Sequence, residues 1–210
     1  MELIARILFW SLFAVVIACV EIEAEGKHGW AEKMPTWYRT TGFWARLYGI
    51  VMARKPLTGY HLFMFFFPIL LFHAPFVMGV EWTSSKEYLA WALYLAWGPL
   101  WDYFWFVLNP HYAGKFHPNH VWWHATSNWV GGRFPHDYLF ALIFSLVLAT
   151  RAAKVGGSWT ILTDHLGLLC GFGFMTLLLH LAAPAYHRWY WRMRLHDDRD
   201  KVDIYHRDAS

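Results

Sequence analysis

Charge is scarce in this chain. Of its 210 residues only 16% are Asp, Glu, Lys or Arg, where a soluble domain carries about a quarter. Cysteine is scarcer still, and Cys19 and Cys170 both fall inside apolar runs. Two such thiols supply neither a disulfide framework nor a Cys-x-x-Cys metal or redox pair. There is no His-Glu-x-x-His, no Gly-x-Ser-x-Gly, no P-loop and no dinucleotide fingerprint, so the reaction classes those motifs serve have no support here. A formal net charge of +3 is too small to hold a polyanion, and nucleic acid is not an expected partner. Neither an internal repeat nor a separate soluble domain is visible. These absences exclude a disordered chain and an ordinary cytosolic enzyme.

What the chain has is apolar and aromatic surface. Hydrophobic residues make up 57%, and there are 15 Trp and 17 Phe. Five apolar runs, near 4–20, 57–80, 88–108, 138–153 and 159–186, approach the roughly 20 residues a membrane span requires. They read as helices, because an isolated strand in lipid leaves its backbone unpaired. The expected fold is an all-α polytopic membrane protein with about five transmembrane helices, forming one helical membrane domain over 1–186. Residues 187–210 read as an amphipathic tail that becomes charged and solvated. Between the first two runs, Phe43, Leu47, Ile50 and Val51 follow helical spacing while Arg39, Arg46 and Arg54 lie elsewhere around the wheel. That pattern predicts a short helix in the membrane interface. The first run also loosely resembles a signal peptide with a lipoprotein-like box at 16–19; an uncleaved span is the expectation.

Five spans place 21–56, 109–137 and 187–210 on one side. That side holds 14 of the Lys and Arg residues, and the other holds 4. The positive-inside rule then puts the N-terminus out and the C-terminus in the cytoplasm, in a membrane such as the inner membrane of a bacterium.

The 13 His residues are the unusual feature, because imidazole in a membrane is costly without a role. Glu21, Glu25 and His28 fall on one face if the first helix continues past residue 25. Glu25-x-x-His28 has the spacing used by di-iron carboxylate bundles. His117, His120 and His124 share a face if a helix starts at Pro118. His120-x3-His124 is an i,i+4 pair suited to one metal. Asp102, His61 and His180 lie inside spans, each roughly 7–12 Å below the cytoplasmic boundary. Asp102 and His61 are the expected catalytic pair. Glu21, Glu25, His28, His117, His120, His124 and His180 are the candidate metal ligands. Packing pairs between helices, interfacial histidines and a solvated acidic cap are the structural alternatives.

His120-x3-His124 resembles a histidine box of the membrane fatty-acid desaturases and hydroxylases. The likeness covers five residues, with no His-His pair and no second or third box. It implies iron and oxygen-dependent hydroxylation or desaturation of a lipid. Pro110-x-Tyr112-x-Gly114 resembles a stretch of the membrane isoprenylcysteine and phospholipid methyltransferases, without the arginine that precedes it there. The expected function is a metal-dependent membrane oxidoreductase acting on a lipid or isoprenoid at the cytoplasmic face. Its cofactor would be a divalent metal, with iron favoured, two ions allowed and zinc an alternative. Two other readings compete: an electron-transfer protein with bis-His haem b, using His61, His73, His165 and His180, and a non-catalytic subunit of a membrane complex.

Overall fold

The computed structural model describes residues 1–52, 54–113, 120 and 128–197. Among them are six helices: α1 (Glu2–Glu25), α2 (Phe43–Val51), α3 (Gly59–Val77), α4 (Ser84–Leu108), α5 (His136–Gly156) and α6 (Thr160–Asp197). Two short antiparallel pairings accompany them. β1 (Tyr38–Arg39) pairs with β2 (Leu57–Thr58), and β3 (Trp129–Val130) pairs with β4 (Phe134–Pro135). Four helices, α1, α3, α5 and α6, are long and apolar enough to cross a membrane, which suits a multi-pass membrane protein. α4 corresponds to the run at 88–108. It has 25 residues, but its Trp, Tyr, Gly and Pro content makes it less apolar than the other four.

α4 is the hub of the bundle. It packs against α5, α1, α6 and α3, and it buries Ala92, Leu93, Ala96, Trp97, Leu100, Trp101 and Phe104. Small residues let helices approach closely where lipid gives no hydrophobic drive between them. Ala14 and Ala18 on α1 meet this face, both fully buried. Trp97 donates its indole N–H to the Trp10 carbonyl at 2.9 Å, which fixes α1 against α4. The outward surfaces are apolar, with Leu8, Phe9 and Leu12 of α1 and Phe63, Phe66 and Phe67 of α3 all exposed.

α2 forms where the helical spacing predicts it. Phe43, Trp44, Leu47 and Ile50 are exposed, an uncovered apolar face of the kind that lies on a membrane surface. Two expectations change. α1 stops at Glu25, because Gly26 takes φ 59, ψ −124, a conformation open essentially to glycine alone. His28 therefore leaves the helical register of Glu21 and Glu25. α6 does not end near residue 186 but continues through Pro184 to Asp197 as one helix of 38 residues. At 1.5 Å per residue it is about 57 Å long, well beyond a hydrocarbon core of about 30 Å. The part of the tail at 198–210 lies outside the described residues.

Candidate metal centre

The site forms where four helix ends converge. Glu21 and Glu25 are one turn apart in the last two turns of α1, facing the same way. They are 6% and 8% exposed, although carboxylates are almost never buried without a partner. Asn109, fully buried at the end of α4, donates from Nδ2 to the Gly26 carbonyl at 2.8 Å. Tyr112 donates its hydroxyl to the Lys27 carbonyl at 2.7 Å. These two bonds clamp the end of α1 to the end of α4. Beyond Gly26 the chain folds back, and the Ala31 N–H donates to Glu25 Oε1 at 2.5 Å. Trp30 and Ala31 take φ 45 and φ 54 there, a strained region for side-chain-bearing residues.

His61 enters from the first turn of α3. β2 delivers this turn, and Thr58 caps it by accepting the His61 N–H at 3.1 Å. The β1–β2 pairing brings Gly59 against Trp37, where a Cβ would fall 2.6 Å from the indole nitrogen. Any larger residue there would force the Trp37 indole to shift. The His61 ring stacks on Trp30, with centroids 4.2 Å apart and planes at 14°. Its Nδ1 lies 2.8 Å from Thr58 Oγ1, and its Nε2 lies 3.7 Å from Glu25 Oε1. With Nδ1–H donating to the hydroxyl, Nε2 is left as a lone pair aimed at the carboxylates. Metal-ligating histidines are oriented this way by a second hydrogen bond.

One ligand atom each from Glu21, Glu25 and His61 lies within 4.8 Å of the other two. These acceptors converge, and Glu25 also takes the Ala31 N–H. The Trp101 indole and the Tyr60 hydroxyl lie beside Glu21, yet neither completes a hydrogen bond among the described residues. The trio forms the polar end of a cavity of about 180 Å³ that also includes Lys55, Asp102, Asp137 and Tyr138. Tyr138 donates its hydroxyl to Asp102 Oδ2. Lys55 Nζ sits 3.5 Å from Asp137 Oδ2 and 4.7 Å from the centre of the Trp30 ring. Burial pulls the Lys55 ammonium below its usual range, and the carboxylates of Asp137 and Asp102 pull the other way. Outside the cavity, burial pushes the His111 imidazole down, helped by the nearby Arg194, Lys27 and His28. Four carboxylates and one ammonium line the cavity. When ionised they leave an excess of negative charge in a low-dielectric setting, which a divalent cation would neutralise.

The candidate residues therefore separate. Glu21, Glu25 and His61 come together, with Asp102 on the same cavity wall. His61 takes the place beside the glutamates that His28 was expected to fill, and His28 Nδ1 instead lies 3.8 Å from Glu32. His180 belongs to a second cavity between α4 and α6, with Nε2 3.4 Å from the Tyr103 hydroxyl. His120 is exposed, and His117 and His124 lie outside the described residues. Of the other haem candidates, His73 contacts Glu87 at 3.2 Å and His165 contacts Ser145 at 2.8 Å. The sequence reading missed Lys55, Asp137, Tyr138 and Trp30. Lys55 looked like one more cytoplasmic positive charge, and Asp137 and Tyr138 like the solvated start of a span. No family model matches the chain, and neither a curated protein nor a solved structure matches it.

Proposed function

We propose that the protein is an integral membrane metal-dependent enzyme, an oxidoreductase of the hydroxylase or desaturase type acting on a lipid or isoprenoid. Glu21, Glu25 and His61 hold the metal, and Asp102 stands beside it. The observation that carries this reading is the convergence of three buried acceptor groups at the polar end of an otherwise apolar cavity. Two carboxylates and an imidazole suit iron, manganese or zinc, and iron is the metal we expect. Iron bound there would supply oxygen-dependent hydroxylation or desaturation. With α4 counted as a fifth span, the positive-inside bias of the Lys and Arg residues supports a site at the cytoplasmic face, with the N-terminus out. Asp102, held by Tyr138, would orient a bound group or accept a proton from it.

Metal analysis and a visible spectrum of the full-length protein in detergent test this reading. The expected result is a stoichiometric divalent metal without a Soret band. His61→Ala should reduce the metal to background, while His73→Ala should retain it. A wild-type protein that takes up no iron, manganese or zinc when titrated would overturn the proposal. So would a Soret band that disappears with His73→Ala, which belongs to the haem alternative.

A further inference from the structure

The cavity has an apolar arm that the metal ligands do not explain. It runs from Asp102 along α4 past Gly98 to Leu95 and Tyr94, with Phe65 of α3 and Ala141 of α5 on its walls. The stretch of α4 from Trp105 to Tyr94 covers about 16 Å along the helix axis. Gly98 and Pro99 sit in its middle, inside the helix. Glycine in a helix interior costs roughly 1 kcal/mol relative to alanine, so its presence there needs a reason. Apart from its chain neighbours and its own turn of helix, a Cβ built on Gly98 would meet no atom within 4 Å. The glycine is not required for close helix packing, unlike Gly171, whose Cβ would strike Ile7 at 2.3 Å. What it leaves is open space in the cavity.

That space also has an entrance. α3 and α5 each lean on α4 and make little contact with one another, so the cavity lies in the gap between them. Next in sequence to the cavity-lining Phe65 of α3 and to Tyr138 and Ala141 of α5, Phe66, Leu139 and Phe140 are exposed, side chains suited to lipid tails. The polar end lies at the level of the helix ends: Glu25 is the last residue of α1, His61 the third of α3 and Asp137 the second of α5. A lipid in its ordinary orientation would have its headgroup at this level and its chain directed toward the bilayer centre.

We infer that the cavity admits one acyl chain of a membrane lipid sideways between α3 and α5, with its headgroup-proximal carbons at the Glu21–Glu25–His61 cluster and its distal carbons beside Gly98. Gly98 is thus a specificity-determining residue that keeps the path for the chain open. The inference rests on the cluster being the reactive site, and it names the substrate class of that site. It also fixes which end of the chain is presented.

Photolabelling tests it. The full-length protein is reconstituted into phosphatidylglycerol vesicles doped with the same lipid carrying a diazirine in mid-chain. After illumination the adducts are mapped by mass spectrometry, and bound metal is measured on the same samples. The expected adducts lie on Phe65, Tyr94 and Leu95. Gly98→Leu should reduce them about tenfold while adducts on the outward Phe66 and the metal content stay unchanged. A Cβ before Pro99 is disfavoured in a helix, so retained metal and unchanged Phe66 adducts report that Gly98→Leu has folded; Ala141→Phe, from the opposite wall, provides a second block free of that constraint. Cavity adducts unaffected by either block, or adducts confined to Phe66, Leu139 and Phe140, overturn the inference. Labelling by a prenyl diazirine but not by the acyl probe also overturns it. A metal-free protein that still shows Gly98-dependent labelling would overturn the metal reading and leave the chain path standing.

Discussion

Polar side chains cluster at both ends of the helix bundle, and they are arranged in opposite ways. At the end where α3 finishes and α4 begins, donors meet acceptors. Glu87 accepts from Trp82 at 2.9 Å and from Trp91 at 2.8 Å, and its Oε1 lies 3.2 Å from His73 Nε2. Ser145 donates to the Ala92 carbonyl at 2.6 Å, and its oxygen lies 2.8 Å from His165 Nε2. Only the Nδ1 lone pair of His165 is left over. These groups join α3 to α4, and α4 to α5 and α6. At the other end, one ligand atom each of Glu21, Glu25 and His61 lies within 4.8 Å of the other two beside open space, and the Ala31 N–H donates to Glu25. A buried polar group with a complementary partner strengthens a fold, whereas converging acceptors destabilise it until a cation arrives. The difference lies both in the pairing of donors with acceptors and in burial, since His73 and Glu87 are 24% and 28% exposed whereas Glu21, Glu25 and His61 are buried.

Two glutamate variants break the comparison most sharply. Glu25→Gln keeps an acceptor for the Ala31 N–H but removes a charge that faces other acceptors. It should abolish metal binding and raise the thermal midpoint of the metal-free protein. Glu87→Gln removes the charge from a carboxylate with two indole donors and should lower stability by about 0.5 to 1.5 kcal/mol with metal content intact. Parallel melting curves and metal assays on the two variants decide the point, and the same sign of stability change in both would erase the contrast.

The next effect concerns orientation of the imidazole. Thr58→Val removes the hydroxyl that holds His61 Nδ1 and should weaken metal affinity by about 10 to 100-fold. Thr58→Ser should restore most of it, as read by competition with a chelator. A Thr58→Val protein of wild-type affinity would show that Nδ1 needs no partner. Ser145→Ala at the opposite end strands the His165 ring and should cost about 1 to 3 kcal/mol. Its metal affinity should match the wild type, and a drop would mean that the two ends communicate.

The smallest expected effect is a pH slope. His111 lies outside the cavity with its imidazole held below the usual value near 6.5. On falling pH the unfolded chain binds this proton first, so the stability it contributes above pH 6.5 is lost as pH falls through the lower folded value. His111→Gln should flatten that slope in melting curves below pH 6.5. An unchanged slope would assign it to other groups.

Much of the architecture was legible in the chain. The apolar runs marked α1, α3, α4, α5 and α6 because helix periodicity and span length are local properties. The 43–51 helix was visible in four residues at helical spacing. The pairing of Glu21 with Glu25 followed from a one-turn separation, which any continuous helix imposes. The end of that helix was less certain, since it depended on Gly26 taking a backbone conformation that the sequence permits without requiring.

The chain by itself thus determined the helices, the apolar surface that suits them to a membrane and the two glutamates on one face of α1. Only the tertiary structure decided that His61, thirty-six residues beyond Glu25, meets those glutamates while His28, three residues beyond it, does not. Backbone hydrogen bonds within four residues specify a helix. A site between helices is specified by how Asn109, Tyr112 and the Thr58 turn dock the helix ends, through contacts spanning 26 to 85 residues that no local pattern encodes.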